Sequence, residues 1–281
     1  MTASLHQLLV HFDDSPAAVR RLNYARRLAT QHGASVSALY AVTPSLIEVP
    51  FAAEAGGAAV AALREVDEER AKLAKAAFDA AVDDGSGVRA HWCEVVDWPM
   101  ATSFAEQALY ADLVVIGQHN PGGDAGGVPF DLVEATLAAS GKPALVVPYT
   151  GELKSQPQEI ALSWKPTREA ARAVAAAVPL MRKARRVHVL TWGNTEPEGL
   201  RGSKLDLDNY LRQRGIEPVW HRESGAEPDL VGDLMLSRAY DIGCDMLVMG
   251  CYGHSRAREW VLGGASRTVL QSMTVPVLMA H

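Results

Sequence analysis

The 281-residue sequence has little of several features that would mark particular classes of protein. Its three cysteines, Cys93, Cys244 and Cys251, are odd in number and lack metal-ligand spacing, so we expect reduced thiols. No apolar run approaches the ~20 residues that a membrane-spanning helix needs, and the first residues lack the basic and apolar regions of a signal peptide. These absences predict a cytoplasmic protein without a disulfide framework or a metal centre.

An excess of positive charge is also missing. The chain has 27 Lys and Arg against 33 Asp and Glu, which gives a net charge of −6. Non-specific binding to nucleic acids or anionic membranes needs clustered positive charge. We therefore expect neither nucleic acid nor membrane as a partner. The length suffices for one large or two ordinary domains.

An internal repeat organises the sequence. The segment ADLVVIGQHN, which contains Gly117, parallels CDMLVMGCYG, which contains Gly250, and each has an aspartate five residues before that glycine. The segments GKPALVVP and TVPVLMAH follow, and the Gly117 to Pro143 interval equals the Gly250 to Pro276 interval at 26 residues. The starts, LLVHFDDSPAAVRRL and IALSWKPTREAARAV, match as well. The sequence therefore predicts two homologous domains.

We place the first domain at residues 1–150, a polar linker at 151–157 and the second domain at 158–281. Ser15 and Thr167 stand where each can cap the first helix of its domain. Strands alternate with helices, which predicts an α/β fold with parallel sheets covered on both faces. We expect strands near 7–12, 35–42, 88–96, 112–117, 144–148, 159–164, 186–192, 217–221, 245–249 and 275–280.

The first domain is longer because of an insertion over residues 44–78. Its first part is rich in Gly, Ala and Pro, and its second part is charged and helical. We interpret it as a surface loop followed by an amphipathic helix, with a mobile lid as the alternative.

The segment MGCYGHSRAREWVLGGASRTVL, residues 249–270, runs from an apolar strand through a glycine-containing loop to the start of a helix. The backbone N–H groups of such a loop and of a helix N-terminus can bind an anion, so phosphate is the expected guest. The spacing matches neither the P-loop nor the GxGxxG fingerprint. A glycine-rich turn without a ligand is the alternative. We interpret Cys251 as a packed side chain, with a redox-sensitive thiol as the alternative.

With its repeat and this segment, the chain resembles the universal stress protein family in its tandem form, over nearly the full length. GCYGHSRAREWVLGGAS is similar to the signature of the ATP-binding branch, which is GxxG, nine residues, then glycine and a small residue. The resemblance implies two tandem five-stranded parallel-sheet domains, Rossmann-like and similar to adenine nucleotide alpha hydrolases, packed as a pseudo-dimer. A further homodimer stays open.

By position, the resemblance implies a binding site for ATP or another adenine nucleotide, with or without Mg²⁺. The residues concerned lie in the glycine segment and at the ends of neighbouring strands. They are Trp164, Lys165, Trp192, Gly250, Gly253, His254, Ser255, Gly263, Gly264, Ala265 and Ser266. The alternative is a vestigial pocket that binds no nucleotide.

Both repeats depart from the family pattern. Family members usually have an aspartate at the end of the first strand, where the second repeat has Lys165, and Ser or Thr where it has Gly264. The first repeat keeps the acid, at Asp13 or Asp14, but its loop has lost three glycines, which are replaced by Asn120, Phe130 and Asp131. We therefore predict one nucleotide site per chain, in the second repeat.

We expect no catalytic residues and no metal ligands, because no acid is placed to orient His254 and the chain has no nucleophile elbow or metal cluster. The sequence predicts a nucleotide-binding stress-response or regulatory module with little or no turnover. One alternative is an adaptor for an unidentified protein partner with a vestigial pocket. The other is a nucleotide-dependent enzyme, and a weak ATPase activity stays open.

Overall fold

A computed structural model describes residues 4–83, 88–95, 99–123, 126–193, 205–223, 225, 227, 230–251 and 264–281. The chain divides into two compact units, one formed by residues 5–144 and the other containing residues 145–281. Each unit is an α/β structure with a parallel sheet, as the sequence predicts. The predicted linker and the pseudo-dimer packing stay predictions.

In the first unit, four strands pair in parallel in the order β3-β2-β1-β4. These are β1 (Gln7–Phe12), β2 (Ser35–Tyr40), β3 (Ala90–Glu94) and β4 (Leu113–Gly117). The Val114 N–H donates to the Pro143 carbonyl, which places the start of β5 (Ala144–Val147) beside β4. The boundary between the two units falls within β5. The helices are α1 (Pro16–His32), α2 (Ser45–Glu48), α3 (Gly57–Val82), α4 (Met100–Ala108) and α5 (Leu132–Ser140).

In the second unit, five strands pair in parallel in the order β10-β9-β6-β7-β8. They are β6 (Glu159–Ser163), β7 (Arg186–Trp192), β8 (Pro218–Glu223), β9 (Met246–Gly250) and β10 (Val277–Ala280). The helices are α6 (Arg168–Met181), α7 (Leu207–Arg212), α8 (Val231–Ile242) and α9 (Gly264–Ser272).

The central strands form because their apolar side chains are covered on both faces. In β4 and β9 every residue except the terminal glycine is buried, which is the pattern of a parallel strand between helices. β3 is shorter than predicted, since it is the edge strand and most of its side chains are partly or fully exposed. None of the helices among the described residues is long and apolar enough to cross a membrane.

The repeated aspartates have one structural role in both repeats. The carboxylates of Asp112 and Asp245 accept hydrogen bonds from two consecutive backbone N–H groups at the start of the first strand of their own repeat. The donors are His6 and Gln7 for Asp112, and Gln158 and Glu159 for Asp245, at 2.8 to 3.2 Å. These aspartates therefore connect two neighbouring strands and are not needed to explain ligand binding.

The two predicted helix caps differ. The Thr167 hydroxyl accepts a hydrogen bond from the Ala170 N–H at 3.2 Å, which confirms the predicted cap of α6. Ser15 stands at the corresponding position before α1, but its side chain makes no capping hydrogen bond. Its hydroxyl donates to the Asp13 carboxylate, which also accepts from the Ser15 N–H.

The insertion forms α2, a short 3₁₀-helix (Ala52–Ala55) and the 26-residue helix α3. Asp67 on α3 accepts hydrogen bonds from the backbone N–H and the hydroxyl of Ser45. Arg70, one turn later, donates to Asp14 at 3.0 Å. The helix is thus tied at two points to the edge where β1 and β2 end.

Candidate functional site

The ends of three neighbouring strands in the second unit form an edge that carries several of the predicted site residues. β9, β6 and β7 are adjacent and parallel, so their carboxyl ends share one edge of the sheet. Trp164 and Lys165 follow β6, Trp192 ends β7 and Gly250 ends β9. Helix α9 connects the parallel neighbours β9 and β10, which places its N-terminus at this same edge.

Four of the predicted binding residues, Gly253, His254, Ser255 and Gly263, lie outside the described residues, and their roles stay predictions. Cys251, at the start of that segment, is fully buried. Its thiol donates to the Ala280 carbonyl at 3.2 Å, and its N–H donates to the same oxygen at 3.0 Å. These contacts support the interpretation of Cys251 as a packed side chain.

The glycine at the end of β9 has a packing cause of its own. A Cβ at Gly250 would lie 2.4 Å from the backbone nitrogen of Ala170 and 2.6 Å from the carbonyl carbon of Glu169. Helix α6 therefore begins against the bare backbone of Gly250. A glycine is required here whether or not a ligand binds, so the binding role of Gly250 stays a prediction.

The first turn of α9 combines small residues with an absence of acidic side chains. Gly264 is exposed, Ala265 is partly buried and Ser266 is 5% exposed. The first N–H groups of a helix have no acceptor within the helix, and together with the helix dipole they attract an anion. Gly232 of α8 fixes its position, since a Cβ there would lie 3.0 Å from the Ala265 carbonyl oxygen.

The turn after β6 brings a cation to the same edge. The Trp164 N–H donates to the Leu190 carbonyl at 2.9 Å, which continues the pairing of β6 with β7 by one residue. Lys165 follows and is exposed, and its carbonyl accepts from the Thr167 N–H at 2.7 Å. Trp164 and Trp192 are both partly exposed. The edge thus has a lysine side chain, two accessible indoles and a helix N-terminus.

Strand register identifies the counterpart of Lys165 in the first repeat. Leu8 pairs with Leu113 as Ile160 pairs with Met246, which makes Asp13, rather than Asp14, equivalent to Lys165. Asp13 is 6% exposed. One carboxylate oxygen accepts from Nη2 of Arg21 at 3.0 Å, and the other accepts from the Ser15 N–H at 2.9 Å. Both oxygens are therefore engaged within the chain.

The buried group around Asp13 includes His11 and Arg21. Burial, followed by the charge of Arg21, lowers the pKa of His11 from 6.5 to about 4, so this imidazole is neutral at pH 7. Burial alone would raise the pKa of Asp13, but the charge of Arg21 and further hydrogen bonds outweigh it and lower the pKa to about 2. Arg21 also donates to the His11 carbonyl at 2.7 Å. The result is a closed ion pair where the second repeat has an exposed lysine.

Arg21 further occupies the space next to the first-repeat glycine. A Cβ at Gly117 would lie 2.4 Å from Nη1 of Arg21, where the equivalent Gly250 faces helix backbone. Sequence reasoning missed Arg21 and Arg70. The signal for Arg21 was its place among the apolar positions of α1, beside Leu22 and one turn from Ala18, where a charged residue implies a buried partner.

Helix α3 and the loop before α5 cover the same edge of the first unit. Arg70 pairs with Asp14, and the Thr43 N–H donates to the Gly127 carbonyl at 2.7 Å. Gly127 has a φ of 77°, and a Cβ there would lie 2.7 Å from the Thr43 carbonyl oxygen. The chain itself therefore fills this edge.

The start of α5 also differs in charge from the start of α9. Asp131 stands at the N-cap of α5 and Glu134 lies in its first turn. Phe130, which replaces a loop glycine, is 75% exposed. The Asp131 side chain makes no capping hydrogen bond, but two carboxylates at a helix N-terminus repel a phosphate.

The residues of the second edge fit the phosphates of a nucleotide. The first turn of α9 offers N–H donors without a nearby acid in that turn, and Lys165 offers an ammonium. Ser266, two residues after the position where the family signature has Ser or Thr, is buried, so its role in binding stays a prediction. Within the described ranges, no group of three His, Cys, Asp or Glu side chains could hold a metal ion.

Comparisons with known proteins agree with this architecture. The model of the Universal stress protein family matches residues 5–148 and 166–281. The match to a universal stress protein from Archaeoglobus fulgidus covers 99% of this chain and 96% of that protein, at 17% identity and a TM-score of 0.68. The match to a functionally unknown protein from Pseudomonas aeruginosa covers 98% of this chain and 92% of that protein, at 15% identity and a TM-score of 0.55.

At these identities the two solved structures show the shared fold. No match exists among curated proteins. Because the family match extends over both repeats and most of the sequence, the chain belongs to the universal stress protein family.

Proposed function

We propose that the second repeat binds ATP or another adenine nucleotide and that the chain is a regulatory module with little or no turnover. The observation that carries this proposal is the first turn of α9, which has small residues and no acidic side chain. The equivalent turn of α5 begins with Asp131 and contains Glu134. An anion is favoured at the start of α9 and disfavoured at the start of α5.

Each described residue has a role in this proposal. The backbone N–H groups at Gly264 and Ala265 would hold phosphate oxygens, and the Lys165 ammonium would add charge attraction. Trp164 and Trp192 would line the nucleoside side of the edge, as the family resemblance implies. Gly250, Gly253, His254, Ser255 and Gly263 would complete the loop around the phosphates by the same resemblance.

A protein-interaction adaptor with a vestigial pocket is the second candidate. It is favoured by Lys165, which stands where family members usually have the aspartate near the nucleoside. Loss of that acceptor would leave a buried donor of the ligand unpaired, at a cost of about 1 to 3 kcal/mol. Such a cost lowers affinity by about 5- to 150-fold and decides between a working and a vestigial site.

Mass spectrometry of small molecules released from purified, denatured protein separates these candidates. The proposal expects an adenine nucleotide in the released fraction, and titration calorimetry then gives its affinity. Gly264→Asp, which copies Asp131, should lower that affinity at least tenfold because a carboxylate would face the phosphates. Ser272→Asp, which adds the same charge at the other end of α9, is the matched control and should retain most of the affinity. Equal affinities in both variants would contradict the proposal.

A further inference from the structure

A chain of hydrogen bonds crosses the second sheet at a distance from the proposed nucleotide edge, since it starts at the amino end of β6. Oε2 of Glu159 lies 2.9 Å from Nε2 of His188. Nδ1 of His188 lies 3.0 Å from Nε2 of His221 on β8, and Nδ1 of His221 lies 3.4 Å from Nη2 of Arg238 on α8. The proposed nucleotide site uses none of these residues.

The two ends of this chain fix the direction of every hydrogen bond. An ionised Glu159 only accepts, so Nε2 of His188 donates to it. Arg238 only donates, so Nδ1 of His221 accepts. The one remaining proton lies on Nε2 of His221, which donates to Nδ1 of His188. Each imidazole then carries one proton and is neutral.

The surroundings keep this arrangement at neutral pH. Burial would raise the pKa of Glu159, but hydrogen bonds from His188, Arg185 and Arg186 outweigh it and lower the pKa to about 2. Burial, followed by the charges of His188 and Arg238, lowers the pKa of His221 below 6.5. His188 is 5% exposed and His221 is partly buried.

Further charged groups lie around the pair. Glu223 of β8 lies 3.4 Å from Nη2 of Arg238 and partly offsets its charge. On the Glu159 side, Asp245 pairs with Lys154 at 3.2 Å. Burial, with the charges of Asp245 and Glu159, raises the pKa of the Cys244 thiol to about 12 and keeps it neutral.

An added proton can go to only one place in this pair. Nε2 of His188 already donates to Glu159, and a proton already lies between the two rings. The third proton must therefore appear on Nδ1 of His221, whichever ring receives it first. That nitrogen then turns from an acceptor into a donor that faces the guanidinium of Arg238, and two positive groups meet at 3.4 Å.

Arg238 belongs to the helix that supports the start of α9. Gly232, one and a half turns earlier on α8, lies against Ala265 and Thr268 so closely that a Cβ would be 2.7 Å from the Thr268 Cβ. The contact of Arg238 with His221 ties α8 to β8, and the contact of Gly232 ties α8 to the first turn of α9. A displacement of α8 at its contact with β8 therefore also shifts its contact with α9.

We propose that the His188–His221 pair is a pH-sensitive element that holds α8 against β8 when neutral and weakens this contact when a third proton is added, leaving Arg238 only its ion pair with Glu223. A more loosely held α8 in turn loosens the first turn of α9. If that turn holds phosphate, acid also weakens nucleotide binding, and this consequence rests on the proposed function. The sign follows from His221: burial and the charges of His188 and Arg238 lower its pKa below 6.5, so the contact is intact at neutral pH and is lost as the pH falls through the lowered pKa.

Amide hydrogen exchange of the full chain at about pH 7.5 and about pH 5, corrected for intrinsic rates, tests the release directly. Protection of α8 and of the first turn of α9 should fall about tenfold at the lower pH. In His221→Gln the fall should disappear, because the amide keeps one donor for His188 and one acceptor for Arg238 without titrating. His91→Gln, at an exposed histidine of β3, is the matched control and should behave like the wild-type chain.

A second variant covers the case in which His221→Gln does not fold. Arg238→Met should show low protection of α8 at both pH values, because the contact is missing throughout. Equal loss of protection in the wild-type chain and His221→Gln, or no loss in the wild-type chain, would overturn the proposal.

ATP titrations at the same two pH values add the second readout. The wild-type affinity should fall about tenfold more than that of His221→Gln, and the comparison cancels the titration of the phosphates themselves. If no nucleotide binds at either pH, the proposed function fails, while the protection of α8 still decides whether His221 is the switch.

Discussion

The carboxyl edges of the two sheets share one backbone plan and differ in what occupies them. In the first unit, Asp13 is buried in an ion pair with Arg21, and Asp14 is paired with Arg70 of α3. In the second unit, the position of Asp13 is taken by the exposed Lys165. A repeat can therefore keep the acid expected at a binding edge without offering it to a ligand, because Arg21 and Ser15 already occupy the two carboxylate oxygens of Asp13.

The helix starts follow the same division. α5 begins with acidic side chains, whereas α9 begins with glycine, alanine and serine. Charge at the first turn of a helix acts on the same N–H groups that would bind phosphate. The predictions below test the closed edge of the first repeat and the open edge of the second.

The largest effect is expected from Arg21→Ala, which leaves the buried carboxylate of Asp13 without its partner. The free energy of unfolding should fall by about 3 to 5 kcal/mol, because an uncompensated buried charge is costly. Urea denaturation measures this loss. The double variant Asp13→Ala with Arg21→Ala should recover part of it, since the isolated charge is gone. A loss below about 1 kcal/mol in the single variant would mean that the ion pair does not close this edge.

The next effect is a pH dependence that belongs to His11. Its pKa falls from 6.5 to about 4 on folding, so the unfolded chain binds the proton more readily. The stability contribution is present above pH 6.5 and is lost as the pH falls toward 4, by about 3 kcal/mol in total.

Denaturation of the wild-type chain and of His11→Gln between about pH 7 and about pH 4.5 checks this window. The variant should lose less stability than the wild-type chain over that range. The pKa values of Asp13 and Glu159 are lowered from 3.8 and 4.5 to about 2, so their contributions are lost mainly below this window and are shared by both chains. Identical pH profiles would show that His11 is accessible to protons in the folded state.

A smaller effect is expected at Lys165. We predict that nucleotide affinity rises with the number of phosphates and falls with salt, because the ammonium acts by charge attraction. Lys165→Asp should strengthen adenosine binding and weaken ATP binding by about fivefold, as measured by calorimetry. Lys72→Asp, at an exposed lysine of α3, is the control and should change neither. Equal adenosine and ATP affinities that Lys165→Asp leaves unchanged would place Lys165 outside the site.

The smallest effect is expected from loss of the N-terminal cap of α6, which has no counterpart at α1. Thr167→Ala removes the cap of α6 and should cost about 1 kcal/mol of unfolding free energy, whereas Thr167→Ser keeps the hydroxyl and should cost less. Thermal unfolding of both variants gives the comparison. If both cost the same, the capping hydrogen bond is not what the threonine contributes.

The fold could be predicted because the central strands are buried apolar runs, which a sequence displays without knowledge of long-range contacts. β1 and β7 have the predicted limits, and β3, an exposed edge strand, is the one that differs most. The closed edge of the first repeat could not be predicted, since it depends on pairings across 8 and 56 residues between Arg21 and Asp13 and between Arg70 and Asp14. The choice between Asp13 and Asp14 likewise needed strand register.

The candidate site was predicted only through its signature. For one of its residues, Gly250, the structure gives a packing reason for the glycine that is independent of ligand binding. Gly250 is required by the backbone of α6, a contact that its spacing to Gly253 does not reveal. Ser15 makes no capping hydrogen bond, and its hydroxyl donates to Asp13. In both cases the role of the residue depends on contacts that the sequence pattern does not show.

The most direct test of the central claim is the stoichiometry of adenine nucleotide binding to the full chain by titration calorimetry. We expect about one nucleotide per chain, with an affinity that Gly264→Asp lowers at least tenfold and Asp131→Gly leaves unchanged. Two equivalent sites per chain, or a single site whose affinity Gly264→Asp does not lower, would contradict an open edge in the second repeat alone.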